Sequence, residues 1–235
     1  MSIMSFDAVA WLAATILVYA AARAAYTRTR LALLNPAIVS IAAMIALVLA
    51  THTPFARYDA GGRFLTFLLG PAVVALGLPL ALQLPTLRRN ARVIAFALGA
   101  GALAGIVVAV GSARLLGAMP AVVLSLAPRS ATTPIAMAIT ARLGGIPALS
   151  AVVSIASGAI GGFVGVALLR LVRVRSPLAV GLALGAAAHG LGTARAADEG
   201  PAEGAAAGMA MGAVGVLTAL LAPLVIAVLR RLGAL

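Results

Sequence analysis

Hydrophobic residues fall along the chain in long stretches separated by short polar breaks, at about residues 6–22, 36–51, 64–84, 93–112, 118–142, 147–169, 177–197 and 204–229. The stretches are rich in Ala, Gly and Leu and lack the polar–apolar alternation of barrel strands, so each reads as a helix packed closely in lipid. Most are long enough to cross a hydrocarbon layer of about 30 Å at about 1.5 Å per residue. The pattern predicts an all-α polytopic membrane protein. Residues 6–22 have no basic residue ahead of them and no convincing cleavage site, and are expected to be a retained span, not a signal peptide.

Charge then fixes how the stretches alternate. With 63% hydrophobic and 9% charged residues, the 235-residue chain has too little polar surface to coat a water-soluble globule. All 17 basic residues are arginines, and most sit between apolar stretches: Arg23, Arg28 and Arg30; Arg88, Arg89 and Arg92; Arg170, Arg173 and Arg175; Arg230 and Arg231. Membrane topology accounts for the net charge of +12, so no nucleic-acid partner is expected. If every stretch crossed once, the first two clusters would lie inside and the third outside, against the positive-inside rule. The conflict disappears if 118–142 enters and returns. Its arms, 118–127 and 131–142, are each too short to span. The expected layout is about seven spans plus a re-entrant hairpin, with the N-terminus outside and the C-terminus inside; two very short crossings at 118–142 would keep the same parity.

Three ordered matches suggest duplication: AIVSIA at 37–42 with AVVSIA at 151–156, LGPAVVALG at 69–77 with LGAAAHGLG at 184–192, and ALGA at 97–100 with AMGA at 210–213. Under the expected topology the copies start on opposite sides, as two inverted three-helix repeats. That architecture belongs to secondary transporters. The expected division is an N-terminal span and basic loop (1–34), a first repeat (35–113), the hairpin connector (114–147) and a second repeat (148–235).

Polar residues inside the membrane are where chemistry is expected. Arg129, Ser130, Thr132 and Thr133 lie between Pro128 and Pro134 at the centre of the hairpin. Prolines free backbone groups, hydroxyls and a guanidinium supply donors, and arginine grips a carboxylate with paired hydrogen bonds, so this is a candidate anion site. The plainer alternative is that Arg129 caps the hairpin. His189 lies mid-stretch with Thr193 four residues on; His189 either bonds substrate or carries a proton, or it bonds a backbone carbonyl. Arg195, Asp198, Glu203 and Asn35 are candidates for coupling or gating, although Arg195 and its acidic neighbours also read as a solvated ion-pair group and Asn35 as a helix start. His52 is expected at the surface. Cysteine is absent, which excludes disulfides and thiolate chemistry. No hydrolase elbow, phosphate loop, zinc motif or dinucleotide fingerprint occurs, so the chain is not expected to be an enzyme or to hold a metal or cofactor.

LLGPAVVALGLPL at 68–80, PRSATTPIAM at 128–137, GGIP at 144–147, HGLGTARA at 189–196 and EGAAAGMAMG at 203–212 resemble the LrgB/CidB family of membrane proteins over nearly the whole chain. The resemblance implies a multi-pass protein of the bacterial inner membrane. It also implies a small LrgA/CidA-type membrane partner and either transport of small carboxylates (pyruvate, glycolate, glycerate) or a holin-like role in controlling murein hydrolases and autolysis. A homo-oligomer is expected. The family's usual residues are lysine at Arg129, valine at Ala131 and serine at Ala188, so this chain keeps the cation and departs beside it.

Overall fold

The computed structural model describes residues 6–29, 34–75, 81, 84, 85 and 88–233. The described residues are helical throughout their regular structure, in two compact units, residues 1–77 and 78–235. Among the described residues, five helices are long and apolar enough to cross a membrane. This is a multi-pass membrane protein.

The first unit holds α1 (Phe6–Thr29), α2 (Pro36–Ala50) and α3 (Phe55–Ala75). Helix α2 starts where the sequence signals it. Asn35 Oδ1 accepts the backbone N–H of Ala37 at 3.0 Å, and Pro36 occupies the first turn. Helices α1 and α3 meet through an edge-on contact of Trp11 with Tyr58 and an Asp7–Arg57 ion pair of 3.3 Å. His52 is exposed, as expected. The 69–77 copy of the repeated motif lies partly outside the described residues.

The second unit is built on three long helices, α4 (Ala91–Leu115), α7 (Pro147–Leu171) and α9 (Pro201–Arg231). Between α4 and α7 lie two short ones, α5 (Pro120–Leu126) and α6 (Thr133–Leu143). Pro120 and Pro134 each sit in a first helical turn, where a missing N–H costs nothing, and residues 127–132 separate the two arms. The arms fold back on each other. The backbone N–H of Ile146, just past α6, donates to Ser125 Oγ on α5 at 2.7 Å. The stretch with Arg129 at its centre is therefore a helical hairpin, hairpin I. Its base lies with the C-terminal end of α9, where the Arg230 guanidinium donates to the Leu143 carbonyl at 3.1 Å.

Helix α8 (Pro177–Glu199) was expected to cross, and its length and composition suit a crossing. It folds back instead. His189 has φ 38° and ψ −121°, which breaks the helix into arms 177–188 and 190–199. A Cβ on Gly192 would lie 2.1 Å from the Leu184 carbonyl oxygen, a contact that residues eight apart in one straight helix, about 12 Å, cannot make. Glu199 closes the return with a 2.7 Å ion pair to Arg170, at the end of α7 from which α8 sets out. The arms span about 18 and 15 Å, too little for a crossing. This second hairpin, hairpin II, enters from the end opposite to hairpin I.

Buried residues show how the long helices run. Ile94, Leu98 and Ala102 of α4 pack with Ala210 and Val214 of α9. Further along, Ile106, Val110 and Ala113 pack with Ala222 and Ile226, and with Val123, Leu124, Ile139 and Leu143 of hairpin I. Helices α4 and α9 therefore run in the same direction, and α7 runs against both. Two expectations change. The matched segments 97–100 and 210–213 lie on helices of the same sense, so this pair is not related by inversion. The fold-back at His189 also removes one crossing, so Arg230 and Arg231 lie at the opposite end from Arg170, Arg173 and Arg175. What is inverted is a shorter unit: α4 followed by hairpin I, then α7 followed by hairpin II.

The chain has no cysteine, so single cysteines report sidedness without background. Val172→Cys and Leu232→Cys should react with an impermeant thiol reagent from opposite faces of the membrane; reaction from the same face would mean that α8 crosses.

Candidate functional site

The tips of the two hairpins meet on the middle of α7. On hairpin I, the Ala131 carbonyl has left helical geometry and accepts the Ser154 hydroxyl at 2.7 Å. One turn on, Arg129 donates to Ser157 Oγ at 3.0 Å. On hairpin II, His189 Nε2 donates to the Ser154 carbonyl at 2.9 Å. Ser154 is fully buried and His189 is 5% exposed. Apolar surroundings offer no water to these groups, so each broken backbone end needs such a partner.

His189 takes a backbone region that is in practice reserved for glycine, a strain of roughly 1–3 kcal/mol. Its ring is what holds it there. Besides the bond to Ser154, the ring lies on Gly158, where a Cβ would fall 2.5 Å from Cε1. Gly158 is thus the seat of the imidazole, and the seat exists only without a side chain.

A cavity of about 550 Å³ runs from Asn90 and Ser176, at the Arg170 end, to Arg129 and Ser130 at the tip of hairpin I. Its walls are α4 and the first arm of hairpin II, with Val93, Leu98, Leu178 and Leu182 among mainly apolar residues. Arg129 is the one charged residue in the lining. It makes no ion pair with any described residue, and Ser157 occupies one of the several donors a guanidinium offers. The small Gly105 on α4 makes room for the tip: a Cβ there would lie 3.0 Å from Ser130 Oγ. A half-buried guanidinium with spare donors, at the end of an apolar cavity, suits an anion small enough to enter.

The expected site residues divide into three groups. Arg129 and Ser130 line the cavity; Thr132 and Thr133 are half-buried beside the tip but do not line it. His189 is joined to the Arg129 tip through α7, not directly, and its Nε2 bonds a backbone carbonyl. The Thr193 hydroxyl donates to the His189 carbonyl at 2.8 Å and faces Met211. Arg195, Asp198 and Glu203 lie at the Arg170 end, with Arg195 paired to Glu199 at 2.5 Å and Asp198 exposed. Asn35 caps α2 in the first unit. Ser154 and Ser157 escaped the sequence reading, where SIA at 154–156 served only as a repeat match, and the spacing of Gly158 with Gly162 read as plain helix packing. The signal was present: Ser150, Ser154, Gly158 and Gly162 form a small, polar stripe at four-residue spacing on an otherwise apolar helix.

A family model described as the LrgB-like family matches residues 15–228. The chain belongs to the LrgB-like family. Among curated LrgB-like relatives, the uncharacterized protein YwbG of Bacillus subtilis (strain 168) is 34% identical over 209 residues, 89% of this chain and 93% of its own. The antiholin-like protein LrgB of Bacillus mycoides (strain KBAB4) is 35% identical over 192 residues, 82% of this chain and 84% of its own. Its namesake in Bacillus cereus (strain B4264) is 34% identical over the same span. No solved structure matches this LrgB-like chain.

Two substitutions probe the strained tip. His189→Gly and His189→Ala both remove the ring, but only glycine takes the backbone angle freely. In thermal unfolding the glycine variant should be the more stable by about 1 kcal/mol. Equal stability would mean that the backbone at 189 relaxes to ordinary angles.

Proposed function

We propose that this LrgB-like protein is a secondary transporter of small monocarboxylates, with pyruvate, glycolate or glycerate as the substrate class, and that it is not an enzyme. The observation that carries the reading is the cavity ending at Arg129, which among the described residues is its one charged wall residue and has no carboxylate partner. A carboxylate on Arg129 and Ser130 would take the unused guanidinium donors and offset the cost of holding that charge away from water. Apolar walls fit the short carbon skeleton.

The packing supports alternating access. On the far side of Arg129, hairpin I is sealed by its core with α4 and α9, so substrate leaves by that side only if a tip moves. In the second unit, seven arginines lie at the Arg170 end (88, 89, 92, 170, 173, 175 and 195) against four at the other (114, 142, 230 and 231), which supports a cytoplasmic Arg170 end in a bacterial inner membrane. The cavity is then the inward-facing one. Proton coupling and a small LrgA/CidA-type partner belong to the same proposal.

The name antiholin-like, carried by the Bacillus mycoides and Bacillus cereus relatives, favours a second reading: an oligomeric pore or scaffold that regulates murein hydrolases. Vesicles containing the purified protein separate the two. A carrier gives saturable, competable uptake of labelled carboxylate; a pore leaks unrelated solutes of similar size. Arg129→Ala should lower uptake by at least about tenfold while the protein still inserts, and Arg129→Lys should keep a measurable share because the cation remains. Full uptake by Arg129→Ala would remove the anion site from the account.

A further inference from the structure

The two tips share one residue of α7. The Ser154 hydroxyl binds hairpin I at the Ala131 carbonyl (2.7 Å), and its carbonyl binds hairpin II at His189 Nε2 (2.9 Å). We infer that Ser154 is a latch: a positioning residue that holds the tips of two oppositely directed hairpins in register, with Gly158 as the seat that lets hairpin II reach it.

Three features argue for a latch over ordinary packing. Its two short bonds come from different atoms, side chain for hairpin I and backbone for hairpin II; the hydroxyl also lies 3.5 Å from His189 Nε2, a longer contact than the 2.9 Å bond to the carbonyl that holds the ring. Each bond satisfies or fixes a strained element, the free carbonyl before α6 on one side and the positive φ of His189 on the other. Hairpin I also carries Arg129, which reaches α7 one turn from the latch, at Ser157. Movement at the substrate cation is therefore transmitted to α7 within a single helical turn of the bond that holds hairpin II. Alternate opening from the two ends requires that the tips be held together in one state and separated in the next, and Ser154 is where that exchange takes place.

The transport part of this inference rests on the proposed function; the geometric part does not, and a cysteine-free chain tests the two separately. Ala131 and Ala188, one at each tip, are both fully buried, and each makes a thiol reporter as Cys. In detergent or vesicles, Ser154→Ala should unmask Ala131→Cys to a water-soluble thiol reagent by about tenfold in rate while Ala188→Cys stays protected, because the Ser154 carbonyl remains. Gly158→Ala, which pushes the imidazole off its seat, should do the reverse. General loosening would unmask both reporters in both variants and would overturn the latch, as would protection unchanged in Ser154→Ala. In uptake assays Ser154→Ala should lower the maximal rate about tenfold with KM within about threefold, and Ser154→Thr, which keeps the hydroxyl, should restore it. A change confined to KM would overturn the latch by making Ser154 a substrate contact. If the wild type shows no saturable uptake, the transporter reading fails, and the labelling pattern still decides the latch.

Discussion

A helix that turns back inside a membrane leaves backbone groups that neither water nor the helix can satisfy, and in this protein two such turns are brought to one place. The Ser154 hydroxyl takes up the free carbonyl of hairpin I and the Ser154 carbonyl takes up the imidazole of hairpin II. Both bonds are buried, where an unpaired polar group costs roughly 1–3 kcal/mol or more. The rest of the second unit serves this meeting. Small residues let the hairpins approach: a Cβ on Gly185 would lie 2.1 Å from the Ala207 carbonyl oxygen, so the first arm of hairpin II rests directly on the backbone of α9. The apolar core at the Arg230 end packs hairpin I against α4 and α9, and the cavity occupies the space that remains on the other side.

Hairpin I could be read from the sequence because it violates two rules at once. Pro128, Arg129 and Pro134 interrupt an apolar stretch, and the arginine clusters on either side demand an even number of crossings between them. Hairpin II violates neither visibly. Its break has no proline, its polar residue is a single histidine in a backbone state that sequence does not advertise, and its apolar length suits a span. It also lies between the third arginine cluster and Arg230 and Arg231, where two crossings satisfy the positive-inside rule, so the charge argument that exposed hairpin I favoured a span here. Missing it placed Arg230 and Arg231 at the same end as Arg170 and hid the shorter inverted unit of one long helix and one hairpin.

The candidate site was legible to the same uneven degree. Arg129 and Ser130 drew attention because a charge and a hydroxyl interrupt an apolar stretch, and both line the cavity. His189 drew attention by its chemistry and bonds a backbone carbonyl, the plainer of the two expectations; its partner went unseen, since a serine on an apolar helix reads as packing until something bonds to it. Arg195, Asp198 and Glu203 drew attention as charged residues near a break, and their charges lie at the Arg170 end, by the base of hairpin II. The departures from the family's usual pattern, Ala131 and Ala188, are both fully buried at the tips. Substitution there bears on how the hairpins meet, and Arg129 keeps a positive charge at the end of the cavity.

The account stands on α8 returning to the end from which it starts. The most direct measurement is the distance between spin labels on Val172→Cys and Asp198→Cys in the otherwise cysteine-free chain. The Arg170–Glu199 ion pair places these positions side by side, so the labels should lie within about 20 Å of each other. A helix that crossed the bilayer would separate them by about 30 Å or more. That longer distance would remove hairpin II, the meeting of the tips at Ser154 and the one-sided cavity together.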